Sequence, residues 1–121
     1  MSLNWEQVVV DAQDPRALGH WWARALDWIV TFEDDTEVEI RSAAEITPGI
    51  LFLRVTEGQR TKNRLHLDFR PIDQNAEVER LLSLGAAHRD IGQGEVTWVV
   101  LADPEGNEFC VLGEAAASSA Q

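Results

Sequence analysis

An imidazole, a thiol, an amide and several carboxylates sit at regularly spaced places in this chain, and their chemistry can be read before any element is assigned. His66 lies in the alternating run Arg64–Arg70, sharing one strand face with Arg64, Asp68 and Arg70, while Leu65, Leu67 and Phe69 share the other. A histidine with a carboxylate two residues along the same face is suited to proton transfer, because the neighbour brings its pKa near neutrality. The plainer alternative is a histidine that contacts a ligand or bonds water or Gln7. Cys110 and Glu108 share a face of the last strand, a thiol and a carboxylate within reach of one another. In so apolar a run Cys110 also reads as a small buried hydrophobe rather than a nucleophile. Trp98, on an alternating stretch, offers a flat surface to an aromatic or cationic ligand.

These residues recur with a period. Gln7, on a strand followed by Asp14 and a helix, precedes His66 by 59 residues, and His66 is followed in turn by Asp73 and a helix. Leu51, in the strand Gly49–Val55, precedes Cys110 by the same interval. Trp5–Asp11 alternates, with Gln7, Val9 and Asp11 on one face. Asp14-Pro15 predicts a helix start, with Asp as N-cap and Pro in the first turn. Leu18, Trp21, Trp22, Ala25 and Leu26 then form a buried stripe. Glu33-Asp34-Asp35 turns the chain into Thr36–Arg41, where Glu37, Glu39 and Arg41 oppose Val38 and Ile40. Glu57–Lys62 is a polar joint. In the second half Asp73 caps a helix with the stripe Val78, Leu81, Leu82 and Gly85, ended by Gly85. Ala87–Ile91, Glu95–Leu101 and Phe109–Leu112 are expected strands, the last two joined by a turn at Asp103-Pro104-Glu105-Gly106. The pattern is α+β: two βαβββ modules, eight strands forming a shared concave sheet with helices outside. One domain over 1–121 is expected, with module one at 4–57, module two at 63–113 and a fraying tail at 114–121. Gln7, His66, Asp68 and Cys110 would then look into the concavity.

Bulk properties narrow the partners. The chain has 121 residues, 45% of them apolar, enough for a core. With 21 acidic against 10 basic residues its formal charge is −11. That charge repels phosphate backbones and anionic lipid, so neither nucleic acid nor a membrane surface is an expected partner. It either favours a cationic small molecule or serves solubility alone. A single cysteine excludes an internal disulfide. The first residues lack a signal-peptide pattern, and no apolar run reaches the ~20 residues that span a bilayer. A cytoplasmic location is the expectation. Trp21 and Trp22 read as core, Trp5 and Trp28 as element ends, and His20 and His88 as surface residues without a partner pattern. Glu37, Glu39 and Asp11 read as a solvated edge in preference to the lining of a site.

Four runs in order carry a family resemblance: Asp14-Pro15 followed by Trp21-Trp22 and Ala25-Leu26; Leu65-His66-Leu67-Asp68; Leu84-Gly85-Ala86; and Leu101-Ala102-Asp103-Pro104-Glu105-Gly106-Asn107-Glu108-Phe109. With these the sequence resembles the vicinal oxygen chelate superfamily, which includes glyoxalase I, bleomycin-resistance proteins and extradiol dioxygenases. More narrowly it is similar to small glyoxalase-like proteins. The resemblance implies a metal held by His or Gln, Glu, His and Glu from the first and last strands of the modules. Carried over, Gln7 and His66 match, whereas Leu51 and Cys110 stand where carboxylates are expected. Hard divalent ions need that oxygen. Gln7, His66 and Cys110 remain as candidate ligands for Zn, Ni or Fe, with Glu108 a nearby carboxylate.

Two functions follow from the resemblance. One is a module that binds a small organic ligand, aromatic or cationic, as drug-sequestering resistance proteins do, with no cofactor; Gln7, Asp68, Trp98, Cys110 and Glu108 would contact the ligand. The other is a metal-dependent lyase or isomerase of the glyoxalase type, using His66 as base or ligand together with Gln7. A ferrous dioxygenase is set aside, since two histidines and a carboxylate are wanted there and His66 alone of the histidines is available for the site. The resemblance further implies a homodimer.

Overall fold

In each half an aspartate starts the helix in the same way. Asp14 Oδ1 accepts a hydrogen bond from the Ala17 amide at 3.1 Å, and Asp73 Oδ1 accepts one from the Ala76 amide at 3.1 Å. Each satisfies one of the amides that the first helical turn leaves unpaired. The computed structural model describes residues 4–55, 67–89 and 96–113. Ten elements run in order: β1 (Gln7–Ala12), α1 (Pro15–Leu26), β2 (Ile29–Glu33), β3 (Glu37–Arg41), β4 (Gly49–Arg54), β5 (Leu67–Phe69), α2 (Gln74–Ser83), β6 (Ala87–His88), β7 (Val99–Ala102) and β8 (Glu108–Val111). The chain divides between β4 and β5 into two compact units.

The expected βαβββ modules are present, and their eight strands are hydrogen-bonded as two four-stranded sheets, one per module. Sheet A has the order β1-β4-β3-β2 and sheet B the order β5-β8-β7-β6. In both, the first and last strands of the module pair in parallel, and the remaining neighbours are antiparallel. This topology puts Leu51 of β4 and Cys110 of β8 on second strands, each beside the first strand of its module.

Helix α1 lies on β3 and β4. Leu18, Trp21, Trp22 and Ala25 of its stripe are buried as expected and Leu26 is half-buried, with Trp21 and Trp22 meeting edge to face at 5.0 Å between centroids. Gly19 allows the close approach: a Cβ there would come within 2.6 Å of Val38 Cγ1 and 3.3 Å of Phe52 Cδ2. Val38, Ile40 and Phe52, all essentially buried, form the sheet side of this core, each worth about 1.5–3 kcal/mol of apolar burial. In module two α2 rests on β8, Val78 and Leu81 are its buried residues, and Phe69 packs edge to face on Phe109 at 5.9 Å. Both helices close with the same pair of reverse bonds. Trp28 N donates to Ala23 O, and Ala86 N donates to Leu81 O, with Asp27 (φ 57°) and Gly85 (φ 114°) as the left-handed residues.

The turn before β8 is braced from within. Asp103, 4% exposed, accepts from the Glu105 and Asn107 amides at 2.9 Å and from Asn107 Nδ2 at 2.9 Å. Gly106 supplies the positive φ of 88° that the turn needs. Asp34 does the equivalent work between β2 and β3, accepting from Thr36 N, Thr36 Oγ1 and Glu37 N. Two strand expectations are corrected. The strand placed at Glu95–Leu101 starts only at Val99, and Val96–Trp98 is irregular, because the Thr97 carbonyl accepts from the Gln74 side chain of α2 at 2.8 Å. The strand placed at Ala87–Ile91 is the two-residue β6. Ile91, Glu95, the joint Glu57–Lys62 and the tail 114–121 lie outside the described residues. No helix among the described residues is long and apolar enough to cross a membrane.

Candidate functional site

Strand alternation gives sheet A one face under α1 and one face away from it. The second carries Gln7, Val9 and Asp11 from β1; Gly49, Leu51 and Leu53 from β4; and Glu37, Glu39 and Arg41 from β3. Register aligns them in rows: Gln7 beside Gly49, Val9 beside Leu51 beside Glu39, and Asp11 beside Leu53 beside Glu37. A β-bulge between Val30 and Phe32 extends the middle row, setting Phe32 opposite Glu39. Its neighbour Glu33 bonds His20 of α1 at 3.1 Å, so Glu33 belongs to the helix side. Val30, opposite buried Ile40, belongs there too. Thr31 and Phe32, between them, stand on the Glu39 side.

Glu39 is held from two directions. Thr31 Oγ1 donates to its Oε1 at 2.7 Å, and Arg41 Nη2 donates to its Oε2 at 2.9 Å. The same Arg41 nitrogen donates to Glu6 Oε2 at 2.7 Å, and Nη1 donates to the Ile46 carbonyl at 3.1 Å. Arg41 reaches Glu6 across β4 by lying over Gly49, where a Cβ would meet Arg41 Cγ at 2.9 Å. Any larger residue would crowd the Arg41 side chain and the Ile40 carbonyl oxygen, 2.8 Å from such a Cβ. The Arg41 side chain is 9% exposed, that of Glu39 19% and that of Glu6 66%. The Arg41 hydrogen bond, helped by Thr31, holds the Glu39 carboxyl below its ordinary value in spite of desolvation. Bonds to Glu39 and Glu6 in turn raise Arg41. Glu39 stays ionised, and two carboxylates share one guanidinium.

Glu39 was expected on a solvated edge, and its partial burial and fixed partners correct that reading. The signal was present in the sequence as Glu39-x-Arg41 on one strand face, with Gly49 on the neighbouring strand as the residue small enough for Arg41 to cross. His20 likewise has a partner in Glu33, although it is exposed as expected.

The residues singled out from the sequence divide between the modules. Gln7 is half-buried on β1. In sheet B, Asp68 on β5 is in register with Cys110 on β8, and Cys110 with Val100 on β7. Cys110 is 6% exposed and Val100 2%, the setting of a small apolar side chain. Glu108 follows on the same face, half-buried and in register with Ala102. Trp98 is 37% exposed and, contrary to expectation, precedes β7 instead of standing on it. His66 lies outside the described residues.

The face of sheet A away from α1 offers a metal few donors. Leu51 offers no donor where an anionic oxygen is expected. The row then holds one carboxylate, Glu39, where a hard ion wants several anionic oxygens. Among the described residues no group of three His, Cys, Asp or Glu side chains is placed to hold an ion.

Comparison with known proteins supports the architecture. The glyoxalase-like domain family model matches residues 7–112. A glyoxalase/bleomycin resistance protein/dioxygenase family enzyme from Burkholderia phytofirmans PsJN superposes with a TM-score of 0.71 at 15% identity, over 93% of this chain and 100% of that one. The bleomycin-binding protein of Streptomyces verticillus, in complex with copper(II)-bleomycin, gives 0.61 at 16% identity, over 95% and 99%. The fosfomycin resistance protein FosX of Listeria monocytogenes, complexed with Mn(II), gives 0.67 at 15% identity, over 95% and 92%. At such identities the likeness is one of fold. None of the curated protein sequences matches the chain. The twin βαβββ modules and a family match over nearly the whole length place this chain in the glyoxalase-like domain family.

Proposed function

We propose that this chain binds a small organic molecule, aromatic or cationic in character, and that it does so without a resident metal. The observation that carries the reading is the middle row of sheet A. Leu51, at a position where the superfamily resemblance expects a carboxylate, lies between Val9 and Glu39, so the row carries a single carboxylate. An apolar strip of this kind binds carbon surface, and hard ions have little to hold there. In module two the thiol at the corresponding place, Cys110, is buried against Val100, which again favours packing over ligation. Gln7, Asp68, Glu108 and Trp98 are proposed as further ligand contacts, with His66 the candidate for proton transfer. A cytoplasmic homodimer belongs to the same proposal.

Thermal shift and calorimetry against cationic antibiotics and small aromatic metabolites test it. Stabilisation by at least one class is expected, unchanged by EDTA, and protein purified without chelators should carry no stoichiometric zinc, nickel or iron. Silence across the panel would overturn the binding reading. Stoichiometric metal, with turnover that His66→Ala abolishes, would replace it with the lyase or isomerase reading.

A further inference from the structure

Resting on the proposal that the face of sheet A away from α1 binds the ligand, we infer that Glu39 is its charge anchor and that the row Val9-Leu51-Glu39-Phe32 selects a singly charged ammonium joined to an apolar body. The recessed carboxylate has an open apolar surface on both sides. Glu39 is 19% exposed at its side chain, whereas Val9 is 50% and Phe32 49% exposed. Neighbouring strands lie about 4.8 Å apart, so Val9 to Glu39 spans roughly 10 Å. That is the reach of a phenyl ring on a short alkyl chain. With the ammonium at Glu39, its carbon body would lie along Leu51 and Val9, and the Phe32 ring would stand beside the cation.

Charge and preorganisation agree with this assignment. Glu39 and Glu6 share Arg41, so the trio carries one net negative charge, and Glu37 and Asp11 flank the adjacent row. An ammonium therefore enters a negative field, whereas a carboxylate would be repelled. A carboxylate with both oxygens already fixed retains lone pairs for another donor and loses little freedom when it binds one. Arg41 and Thr31 are positioning residues on this account, aiming Glu39 without touching the ligand. The competing account makes the Arg41-centred trio only a brace between β3 and the start of β1. The two accounts differ over whether ligand charge matters.

The test uses three matched probes on the whole chain: 4-phenylbutylamine, 4-phenylbutan-1-ol and 4-phenylbutanoate, each titrated by calorimetry at low salt. The amine should bind on the order of tenfold more tightly than the alcohol, the scale of a charge-assisted hydrogen bond, with the acid weakest. Glu39→Gln should erase the difference between amine and alcohol, with circular dichroism verifying the fold. Phe32→Ala, at an exposed side chain, should weaken the amine several-fold and supplies a second readout should Glu39→Gln unfold. Equal affinity for amine and alcohol in the unmodified protein would overturn the anchor while leaving small-molecule binding intact. Failure of all three probes to bind would overturn it as well, and the proposed function would still be judged on the wider panel.

Discussion

The two modules share a backbone plan and differ in the chemistry laid over it. Both start their helix with an aspartate N-cap, pair their first and last strands in parallel and close the helix with matching reverse bonds. On the faces away from the helices the likeness ends. At the centre of sheet A, Leu51 has a bound carboxylate on its β3 side and Arg41 crossing over Gly49 nearby. At the corresponding place in sheet B, Cys110 has Val100 on its β7 side and Asp68 on its β5 side. The acid has moved from one neighbour of the middle strand to the other. Hydrogen-bonding devices that fix the chain path survived between the halves, while side chains that fix no path diverged.

The largest expected effect concerns the internal braces, which the modules place at different hairpins and at different depths. Asp103 is buried and accepts from two amides and a side-chain amide, so Asp103→Ala leaves those donors without a partner. It should cost about 2 kcal/mol, since a stranded donor costs about 1–3 kcal/mol when buried and these half-buried ones are partly reached by water. Asp34 makes a similar set of bonds in water, and Asp34→Ala should shift the urea midpoint far less. Comparable losses from the two would mean that burial does not separate them.

Next is the helix-to-sheet distance. Ala for Gly19 gains about 1 kcal/mol of helix propensity but forces a methyl into Val38, an overpacking cost of about 1–3 kcal/mol. The close contact should win, giving a net loss of roughly 1 kcal/mol by chemical denaturation. A stabilised Gly19→Ala would show that α1 has room to move off β3.

Module one also contains the described groups whose pKa values are clearly displaced. Glu39 is lowered by its Arg41 bond, and Asp34 chiefly by the Thr36 amide. A carboxyl that is more acidic when folded stabilises the fold above its ordinary value, 4.5 for Glu39, and loses that contribution as pH falls through the folded value. The stability difference between the unmodified protein and Glu39→Gln should therefore be full at neutral pH and shrink below pH 4.5. A difference that is flat with pH would detach Glu39 from the ion pair. A difference that grows in acid would reverse the assigned sign.

How much of this was legible beforehand follows the same division. The N-caps, the α1 stripe, the Gly85 stop and the Asp103 turn were readable because each is local, fixed by spacing within a few residues. The Asp103 run carried much of the family resemblance, and its aspartate is a turn brace in this chain. The Glu6–Arg41–Glu39 trio was not readable as a unit. It joins residues 35 positions apart through a parallel pairing and a gap left by Gly49, so Glu39 looked like one more surface acid. Trp98 was misplaced for a related reason: its alternation is genuine, but a distant glutamine captures the preceding carbonyl. The burial of Cys110 was read correctly from its neighbours alone.

The smallest effect is the sharpest test of the duplication itself. Asp27 and Gly85 occupy the same place in the same reverse-bonded helix end, yet one carries a side chain at φ 57° and the other none at φ 114°. An L-residue in the left-handed region costs about 1–2 kcal/mol, somewhat less for aspartate, and glycine gives back about 0.5–1 kcal/mol through the greater freedom of the unfolded chain. Asp27→Gly should thus stabilise the protein by about 0.5 kcal/mol, visible as a small upward shift in melting temperature. The reciprocal Gly85→Asp should destabilise by more, because φ 114° lies well beyond the left-handed region that aspartate tolerates. If both substitutions move stability the same way, the two helix ends are not equivalent and the match between modules stops at the strands.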